Sequence, residues 1–247
     1  AIRCHLHFIA NRDDELLSFD RQPQLAVRLG YSERPGQKHV ERFMKHYFLI
    51  AKEVGDLTRI VCSVLEENSV KKEPVFKRML ETLNIRKESK NLKNGFSIER
   101  NRLRVESDLV FKDNPINLIK LFHIADTHNV LLSSELVQNI SRSLYLINKD
   151  LINNKEANGL FLEILTSPRD PESILRQMNE TGVLGKFIPE FGKIVCMTQF
   201  NLYHHYTVDE HLLRTTGFVS DMKHNKLKDP HPISNALIQK IDNLKIL

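Results

Sequence analysis

The stretch VERFMKHYFLIAKEVGDLTRIVCSVL, residues 40–65, carries a regular apolar pattern. Its apolar residues recur at steps of three and four: Val40, Phe43, Met44, Tyr47, Phe48, Ala51, Val54, Leu57, Val61, Val64 and Leu65. Steps of this size put side chains on one face of an α-helix. The stretch therefore predicts a long helix from Lys38 to Glu67 whose broad apolar stripe packs in a core. A stripe that binds a partner is the rarer alternative.

Helical patterns also fill most of the remaining sequence. Further helices are predicted at residues 2–9, 13–17, 24–29, 115–129, 134–147, 157–165, 171–179, from 208 onward and at 233–247. Asn114-Pro115 and Asp170-Pro171 each place a capping residue before a proline. This pair is typical of a helix start. The capping side chain accepts a backbone hydrogen bond, and the first helical position has no intrahelical partner for the N–H group that proline lacks.

One segment departs from the helical period. FSIERNRLRV, residues 96–105, alternates apolar and polar residues on both sides of Arg100-Asn101. Alternation around a two-residue centre is typical of a β-hairpin with a two-residue turn. The predicted fold class is therefore all-α, a helical bundle with a small β-hairpin.

Length and composition are typical of a soluble globular protein. The chain has 247 residues, of which 41% are apolar and 27% charged. Cys4, Cys62 and Cys196 are widely spaced and odd in number, which argues against a disulfide framework or a cysteine-based zinc site and favours a cytoplasmic location. No apolar run approaches the roughly 20 residues that a membrane helix needs, so no membrane partner is expected.

The charge pattern does not favour nucleic acid as a partner. The net charge of +5 comes from 36 basic and 31 acidic residues. The basic residues are scattered among the acids, and no basic run is interleaved with aromatic residues. Because nucleic-acid sites need concentrated positive charge, a solvated surface of mixed charge is the better interpretation.

Three histidines lie in NLYHHYTVDEHLL, residues 201–213. The segment TVDE, residues 207–210, has the pattern of a capping box, so its two acids have a structural explanation at a helix start. His211 follows one turn into this helix, and together with Val208, Leu212 and Thr215 it lies at three- and four-residue steps that predict an inward-facing side chain. Such a residue is a core histidine or a metal ligand. The residues alone favour the core histidine, because one ligand makes no site.

Several stretches together resemble the bacterial bifunctional uridylyltransferase/uridylyl-removing enzymes, which modify the PII nitrogen-regulatory protein. FIPEFGKIVCMTQFNLYHHYTVDEHLL (residues 187–213) is similar to the junction that enters their HD domain. RCHLHFIANRDDELLSFDRQPQLAVRLGY (3–31) and VERFMKHYFLIAKEVGDLTRI (40–60) resemble the helical segment after their nucleotidyltransferase core. DNPINLIKLFHIA (113–125) resembles their next helical block.

The resemblance implies four segments in an excised piece of a longer protein. These are a helical region (1–67), a polar connection with the hairpin (68–111), a helical linker region (112–200) and the first helices of an HD domain (201–247). The Gly-Ser loop and the carboxylate pair for UMP transfer are then expected upstream. No catalytic residue is expected in this chain, which is predicted to be inactive by itself.

The resemblance also implies ligands and partners. His211 matches the first metal-binding histidine of an HD domain, which reverses the preference for a core histidine. A divalent metal (Mg²⁺ or Mn²⁺), UTP as substrate, glutamine as effector and PII as protein partner are expected of the whole enzyme. The residues that contact UTP are not predicted. Arg3, His7, Arg12 and Gln22 either face the upstream active site or form surface ion pairs.

Two alternatives from other classes remain at this point. A nucleotidyltransferase core is also followed by helices in tRNA nucleotidyltransferases and poly(A) polymerases, whose helical bodies bind RNA. The segment DNPINLIKLF, residues 113–122, is similar to the start of those bodies. The other alternative is a protein-interaction module without catalytic chemistry.

Overall fold

The computed structural model describes residues 1–70, 90–92, 95–107, 109–200 and 206–241. The polar connection predicted from residue 68 lies largely outside them. The first unit comprises Ala1–Leu57 and Ile194–His211, and the second unit comprises Thr58–Lys193 and Leu212–Leu247. The four segments predicted above remain predictions.

The first unit contains three helices, α1 (Ile2–Ala10), α2 (Gln22–Arg28) and most of α3 (His39–Val70). They meet in a small core made of Leu6, Leu25, Ala26, Val40, Phe43 and Met44, with Tyr47 and Phe48 half-buried at its edge. The long helix predicted from residue 38 is confirmed, and so is the burial of the first part of its stripe.

The second part of the α3 stripe contradicts the prediction. Val54, Leu57, Val61 and Leu65 are each more than half exposed. The reason is the difference in helix length. Helices α1 and α2 have nine and seven residues, whereas α3 has 32. At 1.5 Å per residue, α1 and α2 are about 13 Å and 10 Å long and α3 is about 48 Å long. Short helices cover only the first turns of a long one.

The predicted hairpin is confirmed in its register. Strands β2 (Phe96–Glu99) and β3 (Arg102–Val105) pair antiparallel, with Glu99 opposite Arg102. Arg100 and Asn101 both have positive φ, 49° and 61°, as a type I′ turn requires. The sequence did not predict the two outer strands, β1 (Lys90–Asn91) and β4 (Leu131–Leu132), which extend the hairpin to a sheet of order β1-β2-β3-β4.

Most helices of the structure lie in the second unit. They are α4 (Leu109–Asp113), α5 (Asn117–His128), α6 (Ser134–Ser143), α7 (Lys149–Ile152), α8 (Lys155–Leu165), α9 (Pro171–Glu180), α10 (Val183–Phe187), α11 (Pro189–Ile194), α12 (Val208–Lys223) and α13 (Pro232–Ile238). The last residue of α11 and the first four residues of α12 are assigned to the first unit. The fold is a helical bundle with a small sheet, as predicted.

Helix α5 is central to the second core. Leu118, Ile119, Leu121 and Phe122 are fully buried there, in one cluster that also contains Phe96 and Leu103 of the sheet, Ile140, Ile164, Met178 and Phe187. Burying side chains of this size stabilises the fold by about 1.5–3 kcal/mol each. The hairpin is therefore anchored to the bundle through α5.

The two predicted cap-and-proline starts have different outcomes. Asp170 caps α9 as predicted, because its Oδ1 accepts a hydrogen bond from the Ser173 amide at 3.1 Å. Asn114 instead accepts one from the Ile116 amide at 3.2 Å, and α5 begins at Asn117, two residues later than the predicted start at Pro115. No helix in the part of the chain described has the length and apolarity to cross a membrane.

Candidate functional site

The predicted site residue His211 lies one turn into α12, but its side chain is exposed. The buried face of α12 carries Asp209, Leu213, Gly217 and Ser220, at steps of four, four and three. Because Leu212 and Leu213 are adjacent, the apolar pattern allowed either the face of Leu212 or the face of Leu213 to be buried. In the structure Leu213 packs in the core, so the face of Leu212 is exposed. The predicted inward orientation of His211 is wrong, and its exposure also excludes the core-histidine interpretation.

Asp209 has the structural role that the sequence suggested, with a more specific contact. Its carboxylate is buried, and Oδ1 accepts a hydrogen bond from the Cys196 amide at 3.0 Å. The neighbouring Val208 amide donates to the Met197 carbonyl at 2.8 Å. Cys196 itself has a positive φ of 56°, so these two bonds hold a strained turn against the start of α12.

The described residues do not fit a metal centre by themselves. Among them, no three or more His, Cys, Asp or Glu side chains are grouped so that they could hold an ion. An exposed imidazole is accessible to an ion, but a metal site needs several ligands at fixed geometry. No chemical step through a metal is therefore derived from this structure.

The residues considered for an upstream active site form local contacts in the first unit. Arg3 pairs with Glu15 at 2.6 Å, and His7 lies 3.8 Å from the same carboxylate. Arg12 lies 3.2 Å from Asp14, and the Gln22 side chain donates to the Leu17 carbonyl at 3.4 Å. The alternative of surface ion pairs is thus confirmed for Arg3 and Arg12.

Asp14 is the centre of this group. Its carboxylate accepts hydrogen bonds from Arg21 at 2.9 Å, from the Leu16 amide at 3.1 Å and from Arg12 at 3.2 Å. The bond from Arg21, followed by the one from Leu16, holds the pKa of Asp14 well below its usual range. Asp14 is therefore charged throughout the physiological pH range and orders the loop between α1 and α2.

A buried ionic group in the second unit was not found from the sequence. Asp126 of α5 is 5% exposed, and the Ser167 hydroxyl shares its single proton between the two carboxylate oxygens, at 3.0 and 2.8 Å. Arg169 Nη1 donates to Asp126 Oδ2 at 2.7 Å. We call these three residues the Asp126 cluster. Its one sequence signal is a charged residue within the otherwise apolar face of α5.

Beside this cluster the second unit has a cleft of about 460 Å³. Its charged side chains include Arg169 and Asp170, the two residues before α9, and Glu172 and Arg176 of α9. Ser220 and Asp221 of α12 and Lys226 of the turn after it line the other side. We call this the polar cleft. It is a concave site of the size that small molecules occupy.

Two ion pairs line the polar cleft. Arg176 Nη2 lies 2.8 Å from Glu172 Oε1, and Lys226 Nζ lies 2.8 Å from Asp221 Oδ1. The hydrogen bond and the charge of Asp221 raise the pKa of Lys226 above its ordinary value. The cleft thus presents charges of both signs in equal number on these two pairs.

Two family models match the chain. Residues 1–62 match the model described as GlnD PII-uridylyltransferase, and residues 96–187 match the model of the third domain of uridylyltransferase GlnD. Together they cover well over half of the sequence, including the stretches 3–31, 40–60 and 113–125 quoted above. The chain is therefore a member of a nucleotidyltransferase family.

More narrowly, the chain belongs to the GlnD PII-uridylyltransferase family. The resemblance drawn from the sequence is thereby confirmed. No solved structure matches the chain. Neither family match extends beyond residue 187, so the start of an HD domain at residues 201–247 stays a prediction.

Proposed function

We propose that this chain serves an enzyme that transfers UMP from UTP to the PII protein and hydrolyses it off again in response to glutamine. The observation that carries the proposal is the pair of family matches, both to PII-modifying uridylyltransferases. PII, UTP and Mg²⁺ or Mn²⁺ are the partners of this function, and the cytoplasm is its location. The matches favour this function over that of an RNA-binding body.

Within that enzyme the chain supports catalysis and does not perform it. The support for this view is in the sequence, which contains no Gly-Ser loop with a nearby Asp-x-Asp pair for a nucleotide and its metal. The described residues contribute two packed cores and a polar cleft. Such a body holds catalytic parts in place and offers surfaces for PII.

The test compares the 247-residue chain with a longer protein that also carries a nucleotidyltransferase core before it and an HD domain after it. Each is incubated with PII, UTP and Mg²⁺ or Mn²⁺, and PII is weighed by mass spectrometry. The longer protein is expected to add the mass of UMP to PII, and the chain alone is expected to add none. Failure of the longer protein would refute the function, and turnover by the chain alone would refute the supporting role.

We also propose that His211 contributes one ligand to a metal site completed by residues outside this chain. In the longer protein, His211→Ala is expected to lower the metal content and the rate of UMP removal by at least about tenfold. Loss of a residue that only supports a metal ligand typically costs about 10–100-fold, and this variant removes the ligand itself. UMP transfer should be unchanged. The melting temperature should also stay the same, since the side chain is exposed.

The matched control is His231→Ala, which removes another exposed imidazole, at the residue before α13 in the second unit. It should leave metal content and both reactions at the values of the parent protein. Unchanged metal content in His211→Ala would remove the residue from the site. A parallel fall of both reactions together with the melting temperature would show that His211 acts on the fold.

A further inference from the structure

Residues 196–200, which follow α11 and belong to the first unit, are bonded at one end to the start of α12. We call these residues the linking segment. The Cys196 amide donates to Asp209 Oδ1 at 3.0 Å, and the Met197 carbonyl accepts from the Val208 amide at 2.8 Å. Both partners lie in the first turn of α12. The position of this turn therefore depends on the linking segment.

The other end of the linking segment is bonded to the start of α3. The Phe200 amide donates to Glu41 Oε1 at 3.0 Å. The second oxygen of the same carboxylate, Oε2, accepts from the Lys38 amide at 2.9 Å, as the glutamate of a capping box does. Glu41 thus joins the first turn of α3 to a residue 159 positions later in the chain.

The ring of Phe200 is held as well as its amide. It stacks on the ring of Phe19, with the centroids 4.0 Å apart and the planes 2° from parallel, and it packs against the core of the first unit. Phe19 lies in the loop between α1 and α2 and is 36% exposed. Stacked aromatic rings stabilise each other beyond the apolar area that they bury. Phe200 is therefore fixed by this loop and by α3 together.

The backbone of Cys196 indicates that the linking segment is constrained from both ends. Its φ of 56° lies in the left-handed region, which residues with a Cβ atom rarely adopt. Such a conformation persists where the surrounding contacts hold it in place. The bond to Asp209 supplies one of these contacts, and the bond from Phe200 to Glu41 holds the far end of the segment. Loss of the Glu41 bond is expected to let Cys196 relax and to loosen the start of α12.

We propose that Glu41 and Phe19 are positioning residues for UMP removal, which act through the linking segment on the turn of α12 that carries His211. This role rests on the function proposed above for His211. The His211 amide donates to the Thr207 carbonyl at 2.9 Å, so its backbone moves with this turn. All of these residues belong to the first unit. Two side chains near the beginning of the sequence thereby determine where His211 lies.

Hydrogen exchange of the 247-residue chain, followed for single amides by NMR, tests the linking segment without any reaction. In Glu41→Ala, the amides of Cys196 and Val208 should exchange at least about tenfold faster, the effect of losing one hydrogen bond to a charged group. In Phe19→Ala the same two amides should exchange several-fold faster. Neither substitution removes an acceptor of these amides, and the amides within α5 should keep the parent rates. Unchanged exchange at Cys196 and Val208 in both variants would overturn the proposal.

The longer protein tests the consequence for the reaction. Glu41→Ala and Phe19→Ala should each lower kcat of UMP removal by about tenfold or more, because a small misplacement of a reacting group can cost up to about 100-fold. The KM for uridylylated PII and the rate of UMP transfer should stay at the parent values. Phe19→Tyr keeps a ring that can stack and should restore removal, whereas a general loss of stability would lower both reactions.

Two matched controls remove similar groups elsewhere in the first unit. Phe8→Ala removes a ring on α1 that is 71% exposed, and Glu53→Ala removes an exposed carboxylate on α3. Both should match the parent protein in exchange and in both reactions. A parallel fall of removal and transfer in the Glu41 and Phe19 variants would overturn the positioning role. A parent protein that removes no UMP would refute the function itself, whereas an active parent whose variants match it would refute only the positioning role.

Discussion

Replacing Asp126 by alanine is expected to lower the free energy of unfolding of the second unit by about 3 kcal/mol. The change leaves the buried Ser167 hydroxyl without its acceptor and removes the carboxylate that holds Arg169 at 2.7 Å. The loss stays at the lower end of the range for a broken buried pair, because Arg169 is 45% exposed and can be hydrated. Urea unfolding followed by far-UV circular dichroism measures the effect.

Two further variants separate the contributions to the Asp126 cluster. Ser167→Ala should cost about 1–3 kcal/mol, since Asp126 keeps Arg169 as a partner. The double variant Asp126→Ala/Ser167→Ala should cost less than the sum of the single changes, because the groups interact directly. Strict additivity, or a loss below about 1 kcal/mol for Asp126→Ala, would contradict the interpretation that this carboxylate orders the residues before α9.

Replacing Gly192 by alanine is expected to destabilise the second unit by about 1–3 kcal/mol. A Cβ atom at this position would lie 2.4 Å from the Gly185 carbonyl oxygen and 3.2 Å from its carbon. These are backbone atoms, so no rotation of a side chain relieves the overlap. Helices α10 and α11 would have to separate, and the burial of Phe187 in the core would be reduced. Chemical unfolding again gives the free energy.

Gly159→Ala is the matched control for that change. Gly159 lies inside α8, and a Cβ atom there would meet nothing within 4 Å. Alanine should therefore stabilise the protein by about 0.5–1 kcal/mol, through its higher helix propensity and the lower entropy of its unfolded chain. If both variants shift the free energy of unfolding in the same direction, the requirement for Gly192 does not come from the close contact between α10 and α11.

Local patterns predicted the parts of the fold that depend on local energies. The hairpin turn at Arg100-Asn101 follows from two alternating segments of fixed length, and the Asp170 cap follows from adjacent residues. The exposed half of the α3 stripe could not be predicted in this way. Periodicity shows that a face is apolar, whereas its burial depends on whether another element is long enough to reach it.

The candidate sites depend even more on contacts that local sequence patterns do not show. The family resemblance identified His211 as a residue of interest, but its orientation depends on which of Leu212 and Leu213 enters the core. Asp126 and Ser167 are 41 positions apart, and the polar cleft joins α9 to α12 across a similar separation. Contacts between distant positions leave no spacing pattern in one sequence, so only the fold reveals them.

The parallel pairing of β3 with β4 has a consequence for the order of folding. The β2–β3 hairpin is closed by two residues and can form on its own within about 1–10 μs. Strand β4 reaches β3 only after the intervening chain has returned across the sheet, which α4 and α5 accomplish. A crossover of this kind carries a larger loop-closure entropy than the two-residue turn of the hairpin. Strand β4 is therefore expected to join the sheet after the hairpin has formed.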